Sequence, residues 1–179
     1  MLEIISLTKN FGAFTAVDNL SLKVDAGEIY GFLGPNGAGK TTTIKTVATL
    51  LKPTSGGVMI NGINAHEKPE EAKKYLSYVP DQPFLYEKMS GKEFLLFVAN
   101  VYGMNEEEAG DGIGSVSGTF EVKPWLDKRI EDYSQGMRQR LVLAAAFMHK
   151  PKLIVIDADG RARPARGRYL QVADKTRRP

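Results

Sequence analysis

The strongest chemical signal in this sequence is a run of nine residues that suits phosphate binding. The run fits the pattern G-x-x-x-x-G-K-[ST] and consists of Gly34, Pro35, Asn36, Gly37, Ala38, Gly39, Lys40, Thr41 and Thr42. Glycines at this spacing let consecutive backbone N–H groups turn toward phosphate oxygens, and a following helix adds its positive N-terminus. We therefore expect Lys40 to reach the β- and γ-phosphates of a nucleoside triphosphate, and the Thr41 hydroxyl to bind the bridging Mg²⁺.

This loop has to lie between a strand and a helix for its N–H groups to converge. Residues 28–33 predict the strand before it, and residues 42–51 predict the continuation of the helix behind it. Residues 2–7 and 20–24 alternate between apolar and polar side chains, which predicts antiparallel strands that flank the nucleotide.

A second chemical signal is an aspartate at the end of a strand. Residues 153–156 form a continuous apolar run, which is typical of a strand buried on both faces, and Asp157 follows directly. A carboxylate at the carboxyl end of such a strand suits the Mg²⁺ shell of a phosphate-transfer site. Taken alone, Asp157 could equally cap a core strand, and the phosphate-binding loop upstream favours the metal role.

The middle of the chain predicts mostly helix. From Ser90 onward apolar side chains recur at helical spacing, and Ser90 with Glu93 forms a capping box. Residues 110–118 contain four glycines, each of which costs a helix about 1 kcal/mol relative to alanine, so we expect a loop or a frayed helix there. Residues 135–150 predict a strong helix.

Composition favours one globular, cytoplasmic protein. The chain has 179 residues, 42% of them hydrophobic, and no cysteine for disulfides or thiolate metal sites. The first residues lack a secretory pattern, and no apolar run approaches the length of a membrane span. The net charge of +3 arises from residues 160–179, which carry +6. We expect a basic, disordered tail there and no nucleic-acid partner.

Residues 133–141, with the sequence YSQGMRQRL, resemble the L-S-G-G-Q signature of the ATP-binding cassette (ABC) family. Combined with the phosphate-binding loop and Asp157, they make residues 1–157 similar to an ABC transporter ATP-binding subunit. The resemblance implies an α/β fold, a P-loop NTPase of ABC type with an antiparallel β subdomain and a helical subdomain. It also implies ATP and Mg²⁺ as ligands, and Ser134, Gln135 and Gly136 at a helix N-terminus that faces ATP on a second subunit.

Further roles follow from the resemblance alone. Phe11 stands where the family places an aromatic ring that stacks on adenine, and Val17 lies beside that ring. Gln82 resembles the glutamine that reaches Mg²⁺ and the attacking water. Many members have this glutamine directly after the proline, where the chain has Asp81, so either residue fills the role. The implied catalytic residues are Lys40, Gln82 and Asp157, and the implied Mg²⁺ ligands are Thr41, Gln82 and Asp157.

The resemblance also implies partners. The active unit would be a homodimer or a pair of ATP-binding subunits, and a helical subdomain at about residues 90–132 would dock onto a transmembrane transporter subunit. The protein would then lie on the cytoplasmic, inner face of the membrane. Residues 81–83 and the signature look like those of exporter-type subunits.

Several departures from the family pattern limit this interpretation. Ala158 stands where the family has a glutamate that polarises water, and the segment E-P-x-x-G-L-D-P is absent after it. His149 precedes the last predicted strand, so it cannot be the histidine that senses the γ-phosphate, and His66 falls in a predicted loop with a solvated side chain. We expect an incomplete nucleotide-binding domain at residues 1–159, with its C-terminal strands missing.

Three classes of function remain open at this point. The first is an ATPase subunit of a membrane transporter, which the phosphate-binding loop and the signature favour together. The second is a nucleotide-binding chain without turnover, which Ala158 favours. The third is a different P-loop enzyme, such as a small-molecule kinase, and the signature-like segment argues against it.

A frameshift would explain the residues after Asp157, and the coding DNA can test it. Residues 157–164 can be encoded as GAT GCC GAT GGT CGG GCT CGA CCC. Adding AG after the first G of GCC makes the message read D-E-P-M-V-G-L-D-P, which is the absent family segment. We predict that the gene carries codons compatible with this frame near codon 158, and incompatible codons would contradict the frameshift.

Overall fold

The computed structural model describes residues 1–157 and the backbone of residues 168–172. The chain forms two compact units. The first contains Met1–Asp81 and the described residues of Pro151–Pro179, and the second is Gln82–Lys150. The second unit therefore begins before the helical subdomain expected at about residues 90–132 and extends beyond it.

The strands, in chain order, are β1 (Leu2–Phe11), β2 (Phe14–Val24), β3 (Ile29–Phe32), β4 (Ser55–Ile60), β5 (Ile63–Asn64), β6 (Leu76–Val79), β7 (Leu153–Ile156) and β8 (Arg168–Val172). The helices are α1 (Lys40–Val47), α2 (Pro69–Lys73), α3 (Gly91–Val101), α4 (Glu106–Thr119) and α5 (Gln135–Met148), with 3₁₀ turns at Lys123–Trp125 and Ile130–Asp132. None of the described helices is both long enough and apolar enough to cross a bilayer.

The first sheet is antiparallel, with the order β2-β1-β4-β5, and it confirms the predicted antiparallel subdomain. The pairing of β1 and β2 extends to Phe11 opposite Phe14, so both strands are longer than the short segments that the alternation predicts. Leu2 and Leu7 of β1 are fully buried and pack with Val58 of β4 in the core of the first unit. Strand β2 of this sheet lies next to Gly39, at the end of the phosphate-binding loop.

The second sheet has the order β3-β8-β7-β6 and holds the strands that end at the predicted site. Strands β6 and β7 are parallel, and β8 is antiparallel to both β3 and β7, so β3 and β7 run in the same direction. Leu153, Ile154 and Val155 of β7 are fully buried, as the apolar run predicts. Within the described residues, this sheet contains no further parallel strand.

Only part of the predicted tail at residues 160–179 falls within the described structure. The backbone of Arg168–Val172 forms β8, a strand within the sheet rather than a disordered segment. The rest of the tail prediction lies outside the described residues.

The helical unit is built around the buried faces of α3, α4 and α5. The predicted capping box at the start of α3 is present, because Glu93 N donates to Ser90 Oγ over 3.2 Å and Ser90 N donates to Glu93 Oε2 over 2.7 Å. The hydrogen bond from Ser90 N stabilises the carboxylate and lowers the pKa of Glu93. Leu95 of α3 and Leu141 of α5 are fully buried in the same cluster.

The expectation of a loop or frayed helix at residues 110–118 is wrong, because α4 runs through all four glycines. Its first turn carries a capping box of Asn105 and Glu108, which satisfies N–H groups that a helix start leaves without partners. Gly112 also lets α4 lie close to α5, since a Cβ there would be 3.0 Å from Met148 Cγ and 3.1 Å from the Met148 carbonyl oxygen. Capping and close packing together outweigh the low helix propensity of the glycines.

His66 is half-buried rather than solvated as the sequence predicts. Its backbone N donates to Asn64 Oδ1 over 3.1 Å, and its Nε2 is buried. Burial of the imidazole lowers the pKa of His66, an effect that a hydrogen bond with the Thr46 backbone opposes and the nearby Lys52 ammonium reinforces. Burial therefore favours the neutral form of the ring in the folded chain.

The packing at Gly112 predicts opposite effects of alanine at two neighbouring positions of α4. Gly110 has open space around it, so G110A should raise the free energy of unfolding by about 0.5–1 kcal/mol through helix propensity. G112A gains the same propensity but crowds Met148, so it should be less stable than G110A by about 1–3 kcal/mol. Urea unfolding of both variants measures this difference, and equal stabilities would contradict the close packing.

The lowered pKa of His66 predicts a loss of stability in mild acid. Because the unfolded chain keeps a pKa near 6.5, it takes up more protons than the folded chain as the pH falls below that value. The free energy of unfolding should therefore fall between pH 7.5 and pH 5.5, and it should fall less in H66Q. Urea titrations of both proteins across this range measure the slopes, and identical slopes would show that His66 contributes nothing.

Candidate functional site

The residues of the phosphate-binding pattern lie between β3 and α1, as predicted. Strand β3 ends at Phe32 and α1 begins at Lys40, two residues earlier than the predicted helix segment, and α1 ends at Val47 rather than at residue 51. Residues 34–38 between them are exposed. Ile44 and Val47 anchor α1 in the core of the first unit. The loop is therefore an open turn that is held at both ends by regular structure.

Gly39 is the position where this loop tolerates no side chain. It precedes α1 with φ of 74°, in the left-handed region, and a Cβ there would lie 2.3 Å from the carbonyl oxygen of Ala16 in β2. The same Cβ would lie 3.2 Å from Val17 Cγ2. Val17, predicted to lie beside the adenine ring, is thus buried against the base of the loop.

The start of α1 is rich in hydrogen-bond donors and positive in character. The first N–H groups of a helix have no acceptor within the helix, and no side chain caps them here. The first turn also carries no acidic residue that would neutralise the helix dipole. An anion that enters the loop would therefore meet unpaired backbone N–H groups and the positive end of α1.

Lys40 reaches back over the loop that it follows. Its Nζ donates to the carbonyl oxygen of Gly34 over 2.7 Å and also to that of Pro35. The ammonium therefore lies over the residues that would surround a phosphate. Exchanging these neutral carbonyls for phosphate oxygens would give charge-assisted hydrogen bonds, which are roughly twice as strong.

Asp157 leaves the second sheet at the same edge as the phosphate-binding loop. Phe32 at the end of β3 pairs with Arg168 of β8, and Ile156 at the end of β7 pairs with Tyr169, so the two strand ends are level within one residue. Two strand spacings separate β3 from β7 by about 10 Å. Asp157 itself is buried, and its N donates to the Val79 carbonyl oxygen over 2.9 Å.

The residues at this edge fit a Mg²⁺ ion that is also bound by phosphate. Thr43 and Thr46 direct their hydroxyls back to helix carbonyls, whereas Thr41 makes no such bond. A threonine hydroxyl and the Asp157 carboxylate are the hard oxygen ligands that Mg²⁺ prefers. The described residues contain no cluster of three or more acidic, histidine or cysteine side chains, so the ion would complete its shell with phosphate and water oxygens.

Asp81 and Gln82, the alternatives for the glutamine role, differ in position. Asp81 follows β6, whose last residue Val79 pairs with Ile156, so Asp81 leaves the sheet at the edge that carries Asp157. Gln82 is the first residue of the second unit. Both side chains are exposed, and both remain candidates.

The turn between β1 and β2 offers an exposed aromatic surface. Phe11 is 49% exposed, and the ammonium of Lys9 lies 5.0 Å from the centre of its ring. Phe14, opposite Phe11 in the strand register, is 62% exposed. The sequence prediction named Phe11 and missed Lys9 and Phe14, which the recurrence of aromatic residues around the Gly12 turn could have indicated.

In the second unit, the signature loop (residues 133–137) opens α5. Ser134 is its N-cap, and Ser134 Oγ accepts a hydrogen bond from Met137 N over 3.3 Å. Ser134, Gln135 and Gly136 are exposed, and the first turn of α5 carries no acidic residue. The three predicted residues thus lie together at an accessible, positive helix N-terminus.

Tyr133 fixes the first residue of the signature loop through contacts with Trp125. Its hydroxyl donates to the carbonyl oxygen of Trp125 over 2.7 Å, and its ring meets the Trp125 ring edge-on at 4.7 Å. Burial of the phenol raises the pKa of Tyr133, so the hydroxyl remains a donor.

Comparison with known proteins connects this geometry to one family. The ABC transporter family matches residues 17–158. The uncharacterized ABC transporter ATP-binding protein YxlF of Bacillus subtilis is 39% identical over 177 residues, which is 99% of this chain and 58% of YxlF. The bacitracin transport ATP-binding protein BcrA of Bacillus licheniformis is 37% identical over 158 residues, 88% of this chain and 50% of BcrA. The chain thus spans about half the length of these relatives.

Solved structures agree with the sequence relatives. The structure of an ATP-binding subunit of an ABC transporter superposes with a TM-score of 0.80 at 32% identity, and the match covers 87% of this chain and 65% of that one. A dimeric ATP-binding cassette in a post-hydrolysis state, bound to ADP and Pi, superposes with a TM-score of 0.74 at 25% identity over 87% of this chain and 73% of that one.

The contact between Gly39 and β2 predicts unequal costs for alanine at two loop glycines. G37A and G39A both place a side chain at positive φ, which costs roughly 1–2 kcal/mol, but only the Cβ at residue 39 meets a backbone carbonyl. G39A should therefore unfold at a lower urea concentration than G37A, with a further loss of about 1–3 kcal/mol. Equal midpoints for the two variants would contradict the packing of the loop on β2.

Proposed function

Because this chain belongs to the ABC transporter ATP-binding family, we propose that it binds MgATP at residues 34–42 as the ATP-binding subunit of a membrane transporter. One observation carries this proposal. Strands β3 and β7 run in the same direction and end within one residue of each other, so the phosphate-binding loop and Asp157 follow them at the same end of the sheet. This placement supports the proposal, because phosphate donors and a carboxylate at the same end of one sheet suit a metal-bound triphosphate.

In this proposal the loop residues bind and orient the phosphates. The first N–H groups of α1 and the Lys40 ammonium hold phosphate oxygens, while Thr41 and Asp157 hold Mg²⁺. When bound, the Mg²⁺ neutralises charge on the β- and γ-phosphates. Phe11 supplies an exposed ring for stacking on adenine, and Lys40 with Asp157 provides the electrostatic stabilisation on which phosphoryl transfer depends.

The signature loop supplies donors to a nucleotide on a second subunit. Its exposed residues sit at the N-terminus of α5, where backbone N–H groups and the Ser134 hydroxyl suit a γ-phosphate. The dimeric cassette among the similar structures supports a homodimer or a paired ATP-binding subunit. In this arrangement the helical unit contacts a transmembrane subunit at the cytoplasmic face of the membrane, and Asp81 or Gln82 links that contact to the Mg²⁺ site.

A second candidate is a nucleotide-binding chain with little turnover. The sequence places Ala158 after Asp157, where the family has the glutamate that polarises the attacking water. In this case ATP would bind through residues 34–42, while phosphate release would be much slower than in a relative that carries the glutamate.

Replacement of Lys40 tests nucleotide binding. K40M keeps the length of the side chain but removes its charged hydrogen bonds, so we expect the dissociation constant for MgATP to rise about 10- to 100-fold. K45M is the matched control, because Lys45 is exposed in the last turn of α1, away from the loop. Titration calorimetry measures both affinities. An unchanged affinity in K40M, or an equal loss in K45M, would contradict the proposed site.

Phosphate release separates the two candidates. The purified chain should release phosphate from MgATP far more slowly than a family member that carries the glutamate, measured under the same conditions, because Ala158 cannot polarise water. A rate equal to that of such a relative would exclude the low-turnover candidate, and phosphorylation of an added small-molecule acceptor would indicate a kinase instead.

A further inference from the structure

A single arginine in the first turn of α5 connects three parts of the helical unit. Arg138 Nη1 donates to Glu87 Oε1 over 2.8 Å, its Nε donates to the Tyr133 carbonyl oxygen over 3.3 Å, and its Nη2 donates to the Glu131 carbonyl oxygen over 3.4 Å. Its side chain is only 29% exposed. The guanidinium fork can serve three separate acceptors at once, which a lysine ammonium at this position would do less well.

The position of Arg138 in α5 does not by itself favour a positively charged side chain. Residue 138 lies near the positive N-terminus of α5, where an unpaired cation is unfavourable. The Glu87 carboxylate and the two carbonyl oxygens offset this cost. The pairing of Arg138 with Glu87 therefore compensates a charge that the helix itself would disfavour.

The two carbonyl oxygens that Arg138 binds lie on the N-terminal side of Ser134. The backbone N of Arg138 donates to the Ser134 carbonyl oxygen over 3.0 Å. Arg138 therefore binds the signature loop through its backbone as well as through its side chain. The side chain of Tyr133 is already fixed by Trp125. Arg138 adds a restraint on the backbone between that anchor and the helix.

Glu87 belongs to a different stretch of chain, the segment of residues 82–89 that begins at Gln82. Backbone bonds join this segment to the residues before the signature loop, since Glu131 N donates to the Glu87 carbonyl oxygen and Ile130 N donates to that of Met89. Lys88 Nζ also contacts Glu131 Oε2 over 2.6 Å. Among these contacts, the Arg138 to Glu87 pair is the one that reaches the signature helix itself.

We propose that Arg138 is a positioning residue that couples the signature loop, through Glu87, to the segment that follows Gln82. This role rests on the proposed function, in which the signature loop donates to a nucleotide of the second subunit and residues 81–82 respond to Mg²⁺. A shift of residues 82–89 is then transmitted to the signature loop, because the same guanidinium holds the Glu87 carboxylate and the Tyr133 carbonyl oxygen.

Amide exchange at Met137, measured by NMR on the full chain, tests this coupling. Met137 N donates to Ser134 Oγ, so its exchange reports the geometry of the signature loop. E87A removes no atom that touches Met137, yet it should speed this exchange about two- to fivefold, the range expected from loss of a partly exposed ion pair. K88A is the matched control, because it removes a neighbouring ion pair that does not reach α5, and it should leave Met137 unchanged.

A double-mutant cycle separates coupling from general destabilisation. If the effect passes through Arg138, E87A should cause no further change in an R138A background. Wild-type exchange at Met137 in E87A, an equal effect of K88A, or an additive effect of E87A in R138A would overturn the proposal. MgATP affinity is measured on the same samples: absence of binding by the wild type would refute the proposed function, while the exchange data would still decide the coupling.

Discussion

The hydrogen-bond donors at the start of α1 are the constraint on which the site depends. A helix cannot satisfy its first N–H groups, and here no side chain caps them and no acidic residue neutralises them. Gly39 in the left-handed region turns the chain into the helix while packing on β2, and Lys40 folds back over the same turn. The local sequence thus builds a positive, donor-rich loop whose natural complement is a chain of phosphates.

The second sheet adds a carboxylate, a candidate Mg²⁺ ligand, at the same end of the sheet as that loop. Because β3 and β7 run in the same direction, their carboxyl ends share one edge, and Asp157 emerges at the level of the phosphate-binding loop. The buried side chains of β7 and the apolar face of α1 share one core, which fixes this spacing within the first unit. The helical unit presents the signature loop in the same way, on a helix N-terminus anchored by Tyr133 and Arg138.

Local sequence predicted the elements whose determinants are close together in the chain. The strand, glycine loop and helix around Lys40, the buried strand before Asp157 and the capping box at Ser90 all depend on a few adjacent residues. The glycine-rich α4 could not be predicted in this way, because its stability depends on contact with α5. Nor could the pair of Glu87 and Arg138, since 51 residues separate them and only the folded unit brings them together.

The most direct test of this account is the NMR response of backbone amides to MgATP. If the unsatisfied N–H groups of the loop bind the phosphates, the largest shifts should occur at the amides of residues 36–42, with smaller changes around Phe11. At protein concentrations too low for dimerisation, the amides of the signature loop should remain unchanged. Large shifts confined to other parts of the chain, with residues 36–42 unaffected, would contradict the central claim that α1 and its loop form the phosphate site.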